Sequence, residues 1–157
     1  MVSDQYRMHR LRPGDEGVVG TLARGNARLG DGSEADWLPP LGNEEAAHFV
    51  ADPGTVCIVA IDIATNHIAG FVYGGVLNRR HTRLQHICLY EIGVDLDHRR
   101  AGVGELLIGA FAGEARTMGI DRGFVITSEA NTATVALYEA FGALRGDGRD
   151  VLFGLSF

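Results

Sequence analysis

The chain contains no apolar run as long as the ~18 residues that a membrane-spanning helix requires. Met1 to Arg10 has no apolar h-region, so no secretory leader is expected there. Cysteine is scarce. Cys57 and Cys88 each lie within an apolar, strand-like run, and they read as two buried free thiols of a cytoplasmic protein rather than as a disulfide framework. Repeats, low-complexity tracts and linkers are lacking, and a length of 157 residues favours a single domain over 1–157. Positive charge is in deficit, 14 basic residues against 20 acidic ones, giving a formal charge of −6. Such a surface repels nucleic acid and anionic membranes and attracts cations, so neither of the first two is expected as a partner.

Apolar residues make up 46% of the chain and charged residues 22%, which excludes a disordered polymer. A domain of this size buries roughly 68–70% of the surface its unfolded chain exposes, enough for one core without staples. The basic residues cluster in two knots, His98-Arg99-Arg100 and Arg79-Arg80-His81 with Arg83. A local basic spot on an acidic protein suits a phosphorylated ligand there and a cationic one elsewhere.

Period and punctuation give the order β-α-α-β-β-β-α-β-α-β-β. Gln5 to Arg10 reads as a strand and Pro13 to Arg24 as a helix with Gly25 just past its end. Gly30 to Gly42 reads as a loop, followed by a short helix that Asn43 caps and that ends before Pro53. Thr55–Asp62 and His67–Leu77 form a hairpin across a turn at Ala64–His67, and Leu84–Val94 is a third long strand. Val103, Leu106, Leu107, Ala110, Phe111, Ala115 and Met118 recur at helical spacing, and Gly119 ends that helix in a left-handed conformation. Gly123–Ser128 is a strand, Thr132–Phe141 a helix ended by Gly142, and closing strands are expected near Ala143–Arg145 and Asp150–Ser156. The fold class is α/β, with a mixed central sheet of six to seven strands flanked by about four helices.

The most informative segment joins the third long strand to the amphipathic helix: Arg99-Arg100-Ala101-Gly102-Val103-Gly104. Successive main-chain amides at a helix start converge on an anion, and the helix dipole assists them. Two better-known phosphate loops fail here. No Gly-Lys pair follows, as a P-loop needs, and Leu107 stands where a dinucleotide fingerprint places its third Gly. The remaining pattern, R-x-x-G-x-G, resembles the coenzyme A pyrophosphate loop of the GCN5-related N-acetyltransferases, the GNAT superfamily. Asn131 to Gly142 resembles that superfamily's second motif at Asn131, Leu137, Tyr138 and Gly142, with Thr134 and Ala143 departing from it. Within the superfamily, Tyr90-Glu91, His98-Arg99-Arg100 and Val135-Ala136-Leu137-Tyr138 look most like the aminoglycoside 3-N-acetyltransferases. Residues 1–50 carry little of the likeness.

The resemblance implies acetyl transfer from acetyl-CoA to a primary amine, the 3-amino group of an aminoglycoside foremost, with a peptide, lysine or polyamine amine as the alternative acceptor; a non-catalytic acetyl-CoA-binding module is the third reading, and the presence of both Glu91 and Tyr138 argues against it. It implies direct transfer in a ternary complex and no metal; a homodimer follows only by analogy. Glu91, the sole charge between Ile87 and Val94, is the candidate general base, because apolar surroundings raise a carboxyl's pKa. It competes with two other roles for the same residue, binding the substrate ammonium and simply facing solvent. Alternation puts Glu91 on the face opposite Ile92, and Gly93 marks a bulge or a close backbone approach. By resemblance, the backbone of Ile92, Gly93 and Val94 lines the pantetheine arm. An amide of Ile92 or Val94 polarises the thioester carbonyl, and Tyr138 protonates the departing thiolate. Arg99, Arg100, Ala101, Gly102, Val103, Gly104 and Asn131 complete the cofactor set. A polycationic acceptor calls for carboxylates, and the candidates are Glu129 and Asp150, then Asp36 and Glu45.

Overall fold

The β-branched and alternating segments assemble into one sheet. In the computed structural model, which describes residues 2–30 and 41–149, the elements run in chain order as follows. α1 (Val2–Gln5), β1 (Tyr6–Arg10), α2 (Glu16–Arg24), α3 (Asn26–Leu29) and α4 (Asn43–Ala51) lead into β2 (Thr55–Asp62), β3 (Ile68–Asn78) and β4 (Gln85–Val94). A 3-10 turn (Leu96–His98), α5 (Val103–Thr117), β5 (Gly123–Val125) and α6 (Thr132–Ala140) follow. The strands lie in the order β1-β2-β3-β4-β5. The first three pairings are antiparallel and β4–β5 is parallel, so the sheet is mixed. Residues up to Ile126 form one compact unit, which holds the five described strands and α1–α5, and those from Thr127 form another, which holds α6.

Both faces of the sheet are covered by apolar side chains. On one face Cys57, Val59 and Phe71 pack with Val19 of α2, Leu29 of α3 and Ala46 and Val50 of α4. On the other, α5 buries Val103, Leu107, Ile108, Phe111 and Ala115. Gly70 and Gly74 on β3 let α5 come close: a Cβ there would lie 3.1 Å from Leu107 Cδ1 and 2.7 Å from Phe111 Cζ, respectively. This is the one-sided stripe that the sequence spacing predicts, and Gly119 ends it at φ 76°.

Several expectations need correction. Five strands are found among the described residues rather than six to seven. Ala143–Arg145 is not a strand, because it follows Gly142 at φ 91° and Arg145 is drawn to Glu139 (2.6 Å) and Glu129 (3.3 Å). Asp150–Ser156 lies outside the described residues. β5 is three residues long, limited to the segment that pairs with β4. α2 begins at Glu16 rather than Pro13, because the Asp15 carboxylate and amide both bond Arg12 in a preceding turn. Gly42, not Asn43, is the cap of α4. Cys57 is buried as expected, but Cys88 is only partly so; both are free.

Candidate active site

β4 carries the candidate base, and its pairing explains where that residue points. On one flank β4 pairs with β5 only at Ile87, Cys88 and Leu89. On the other it pairs with β3 along its whole length, but the register slips: Gly74 faces Leu89, whereas Tyr73 faces Glu91. Tyr90 is the extra residue of a β-bulge. Side chains alternate along a strand, so the slip moves Glu91 off the α5 face occupied by Leu89 and Gly74. Cys57, Tyr73 and Glu91 then form one row across β2, β3 and β4.

Cys57 is buried, and its thiol is pushed up to about 12, first by burial and then by the negative charge of Glu91. Tyr73 packs edge-on against Phe49 of α4 (centroids 5.6 Å apart) and against Tyr90 (5.3 Å). Glu91 itself is half-buried. Two residues further on, Gly93 is a close approach rather than the bulge. A Cβ there would press into the Leu29 carbonyl and lie 2.7 Å from Phe71 Cε1. Ile92 and Val94 face Val72 and Gly70 across the β3 pairing and so share the α5 side, opposite Glu91 as alternation requires.

From Val94 the chain turns sharply into α5. Arg28 grips Asp95 through two hydrogen bonds of 2.9 and 2.8 Å and reaches Asp97 at 2.6 Å. This pairing holds the Asp95 carboxyl down at about 2. The Arg99 side chain donates to the Val94 carbonyl (3.1 Å) and the Gly30 carbonyl (3.3 Å), which braces the end of β4 against the chain after α3. Arg100 is exposed and adopts φ 62°; Gly102 follows at φ 76°, the left-handed region in which glycine carries no Cβ penalty. Gly102 offers no side chain to cap α5. Leu106 donates to the Gly102 carbonyl at 3.1 Å. The amides of Val103, Gly104 and Glu105 precede that bond, in the first turn, where a helix provides no internal acceptor. Two left-handed residues therefore precede a helix start, and first-turn amides of this kind are the groups with which helix termini meet anions in general.

Of the other expected residues, the second unit holds Asn131, Tyr138 and Glu129. Asn131 accepts from the Thr134 amide at 3.2 Å and so caps α6. Tyr138 on α6 is buried, and burial pushes its phenol up to about 12. Glu129 is exposed and pairs with Arg145. Glu45, in the first turn of α4, folds its carboxylate over Gly42. Asp36 and Asp150 lie outside the described residues. Sequence reasoning named Tyr90 only as the residue before Glu91 and missed Phe49 and Tyr73 as neighbours of this region. Only the bulge aligns Tyr73 with Glu91, and no local pattern announces it.

The acetyltransferase (GNAT) family model matches residues 26–143, and the chain belongs to that family. It is 40% identical over 57 residues to the mycothiol acetyltransferase of Thermobispora bispora, a match that takes in 36% of this chain and 19% of that protein. Among solved structures it is similar to an aminoglycoside acetyltransferase from an uncultured soil metagenomic sample, crystallised with trehalose. The TM-score is 0.87 at 18% identity, over 100% of this chain and 99% of the other. The same enzyme crystallised with sisomicin gives a TM-score of 0.84 at 16% identity, over 100% and 99%. The ribosomal-protein-alanine N-acetyltransferase of Brucella melitensis gives 0.70 at 20% identity, over 96% and 99%. At these identities the structural likeness establishes the fold.

Proposed function

We propose that this chain, as one domain over 1–157, transfers the acetyl group of acetyl-CoA to a primary amine of a polycationic acceptor. The 3-amino group of an aminoglycoside is the first choice, which would make the protein a cytoplasmic antibiotic-resistance enzyme. The observation that carries the reading is the backbone at 100–105, with two left-handed residues followed by first-turn amides after the 3-10 turn that leaves β4. The residues present suit a diphosphate there: main-chain N–H groups of Ala101 to Gly104, the exposed guanidinium of Arg100 and, once released from its carbonyls, that of Arg99. Acetyl-CoA supplies an activated acetyl thioester.

The remaining roles follow from the chain's own groups. Glu91 takes a proton from the acceptor ammonium, directly or through a water. The backbone of Ile92, Gly93 and Val94 lies on β4 beyond the last β5 pair, and an amide of Ile92 or Val94 is the oxyanion donor. Tyr138 keeps its proton at neutral pH and is the donor to the leaving sulfur. Asn131 supports the cofactor side by fixing the start of α6. Glu129, Asp150, Asp36 and Glu45 remain the proposed acceptor carboxylates; of these, Glu129 must exchange Arg145 for the acceptor. Likeness to the soil aminoglycoside acetyltransferase favours an amino sugar. Likeness to the ribosomal-protein-alanine enzyme keeps a peptide amine as the second reading.

A thiol-release assay across aminoglycosides, peptides and spermidine, with coenzyme A binding followed by calorimetry, tests the proposal. Aminoglycosides should give the highest kcat/KM. Glu91→Gln should lower kcat by ~10²–10⁴-fold and remove its acidic limb. Failure of coenzyme A to bind would end the reading, and inactivity on every aminoglycoside would move the acceptor to the peptide class.

A further inference from the structure

Phe49, Tyr73 and Tyr90 form a file of rings that begins on α4 and ends at the bulge beside Glu91. The inner two are partly buried, and they fix the third, because Tyr73 is flanked by Phe49 at 5.6 Å and by Tyr90 at 5.3 Å. Tyr90 is 68% exposed, so the file presents one open aromatic surface. The slip that turns Glu91 away from α5 also leaves Tyr90 as the unpaired residue opposite Tyr73. A carboxylate and an exposed π-face are therefore neighbours in sequence and share one partner across the strand pair. Both attract cations, the carboxylate by charge and the ring by its quadrupole. A molecule of net charge −6 adds a long-range field of the same sign.

We infer that Tyr90 is a specificity-determining residue: with the reacting amine at Glu91, a second ammonium of the acceptor lies over the Tyr90 ring. The site then selects acceptors bearing two or more cationic groups over simple mono-amines, and Tyr73 and Phe49 act as positioning residues that hold the ring. This rests on the acetyl-transfer reading for the identity of the acceptor, while the ring contribution is measurable by binding alone.

The experiment compares an aminoglycoside with the mono-amine glucosamine on wild type, Tyr90→Phe and Tyr90→Leu. Steady-state KM and kcat are read alongside calorimetric binding of each acceptor to the coenzyme A-loaded protein. Tyr90→Leu should weaken the aminoglycoside by about 2- to 30-fold relative to glucosamine, the range of a cation–π contact from exposed to desolvated. The loss should fall mainly in KM. Tyr90→Phe, which keeps the ring, should retain the wild-type preference. Equal effects on both acceptors, no effect on either, or a Phe variant that behaves like Leu would overturn the inference. So would a loss of coenzyme A affinity in Tyr90→Leu, which would put the ring on the cofactor side. Acceptor binding without turnover would remove the transfer reading and leave the ring inference standing on the binding ratio. Turnover with ring variants that discriminate as wild type does would remove only the ring inference, and no binding of either acceptor would remove it as well.

Discussion

Adding a single methyl group at Gly93 tests how tightly the functional end of β4 is held. A Cβ at this position would enter the Leu29 carbonyl group, lying 2.9 Å from its carbon, and would sit 2.7 Å from Phe71 Cε1. Neither neighbour is the free end of a flexible side chain. Leu29 and Phe71 are 5% and 6% exposed within the same core cluster, and the carbonyl belongs to the main chain. Relief therefore requires that α3 or β4 shift as a body. Overpacking of this kind costs ~1–3 kcal/mol. For a chain of 157 residues each kcal/mol moves Tm by about 2–4 °C, so Gly93→Ala should melt roughly 2–12 °C below wild type. Gly109 and Gly113 on α5 are the internal controls, since a Cβ at either meets nothing within 4 Å. Alanine at each should stabilise by roughly 0.5–1 kcal/mol through the lower backbone entropy of the unfolded chain. Scanning calorimetry of the three variants decides the matter. A Gly93→Ala protein that melts at or above wild type would refute the close approach of α3 to β4.

Two further expectations concern protonation. The Tyr138 phenol is pushed up to about 12, so it stays protonated through the range in which an ordinary tyrosine ionises. The kcat profile should have no basic limb from this group near pH 10, and Tyr138→Phe should lower kcat with little change in coenzyme A affinity. A limb near pH 10 that the Phe variant abolishes would contradict this. The same raised pKa means that the native state holds a proton which the unfolded state loses above about pH 10, so this residue's contribution to stability falls as pH rises from there towards 12. Burial likewise pushes up both thiols, Cys57 to about 12 and Cys88 by a smaller step. Native protein at pH 8 should react slowly with a disulfide reagent at Cys88, and Cys57 should respond only on unfolding. Two fast equivalents would show that the β2 face is open.

Much of the fold is visible in the sequence because its contacts are periodic. Val103, Leu107, Phe111 and Ala115 are buried on one side of α5, and their spacing alone announces the helix and its face. The β2–β3 hairpin is equally plain, since two β-branched runs flank a short polar turn in which Asn66 takes φ 57°. Ala143–Arg145 misleads because three residues between glycines carry no periodic signal, and the carboxylates of Glu129 and Glu139 decide the course of Arg145. The α6 cap has no signal of its own in the sequence, where Asn131 is read through its resemblance to a cofactor motif; in the structure its side chain accepts from the Thr134 amide.

The bulge is the least legible feature and the one with the greatest consequence. In Ile87-Cys88-Leu89-Tyr90-Glu91-Ile92-Gly93-Val94 apolar residues fill both phases of the alternation, so a one-residue slip leaves no mark in the pattern. Without the slip, Leu89, Glu91 and Gly93 would share a face, and that face packs against α5, where Phe111 and Leu107 are buried. A carboxylate placed there would be an uncompensated charge in an apolar core, costing several kcal/mol or forcing it to hold its proton. Ile92 and Val94 would in turn leave the α5 side. The extra residue resolves both conflicts together: the aliphatic pair goes to α5, and Glu91 goes to the half-open row beside Tyr73. Beyond Leu89, the last β4 residue paired with β5, β4 stays paired with β3 as far as Val94. Core packing and the exposure of the candidate base are thus two results of one backbone irregularity.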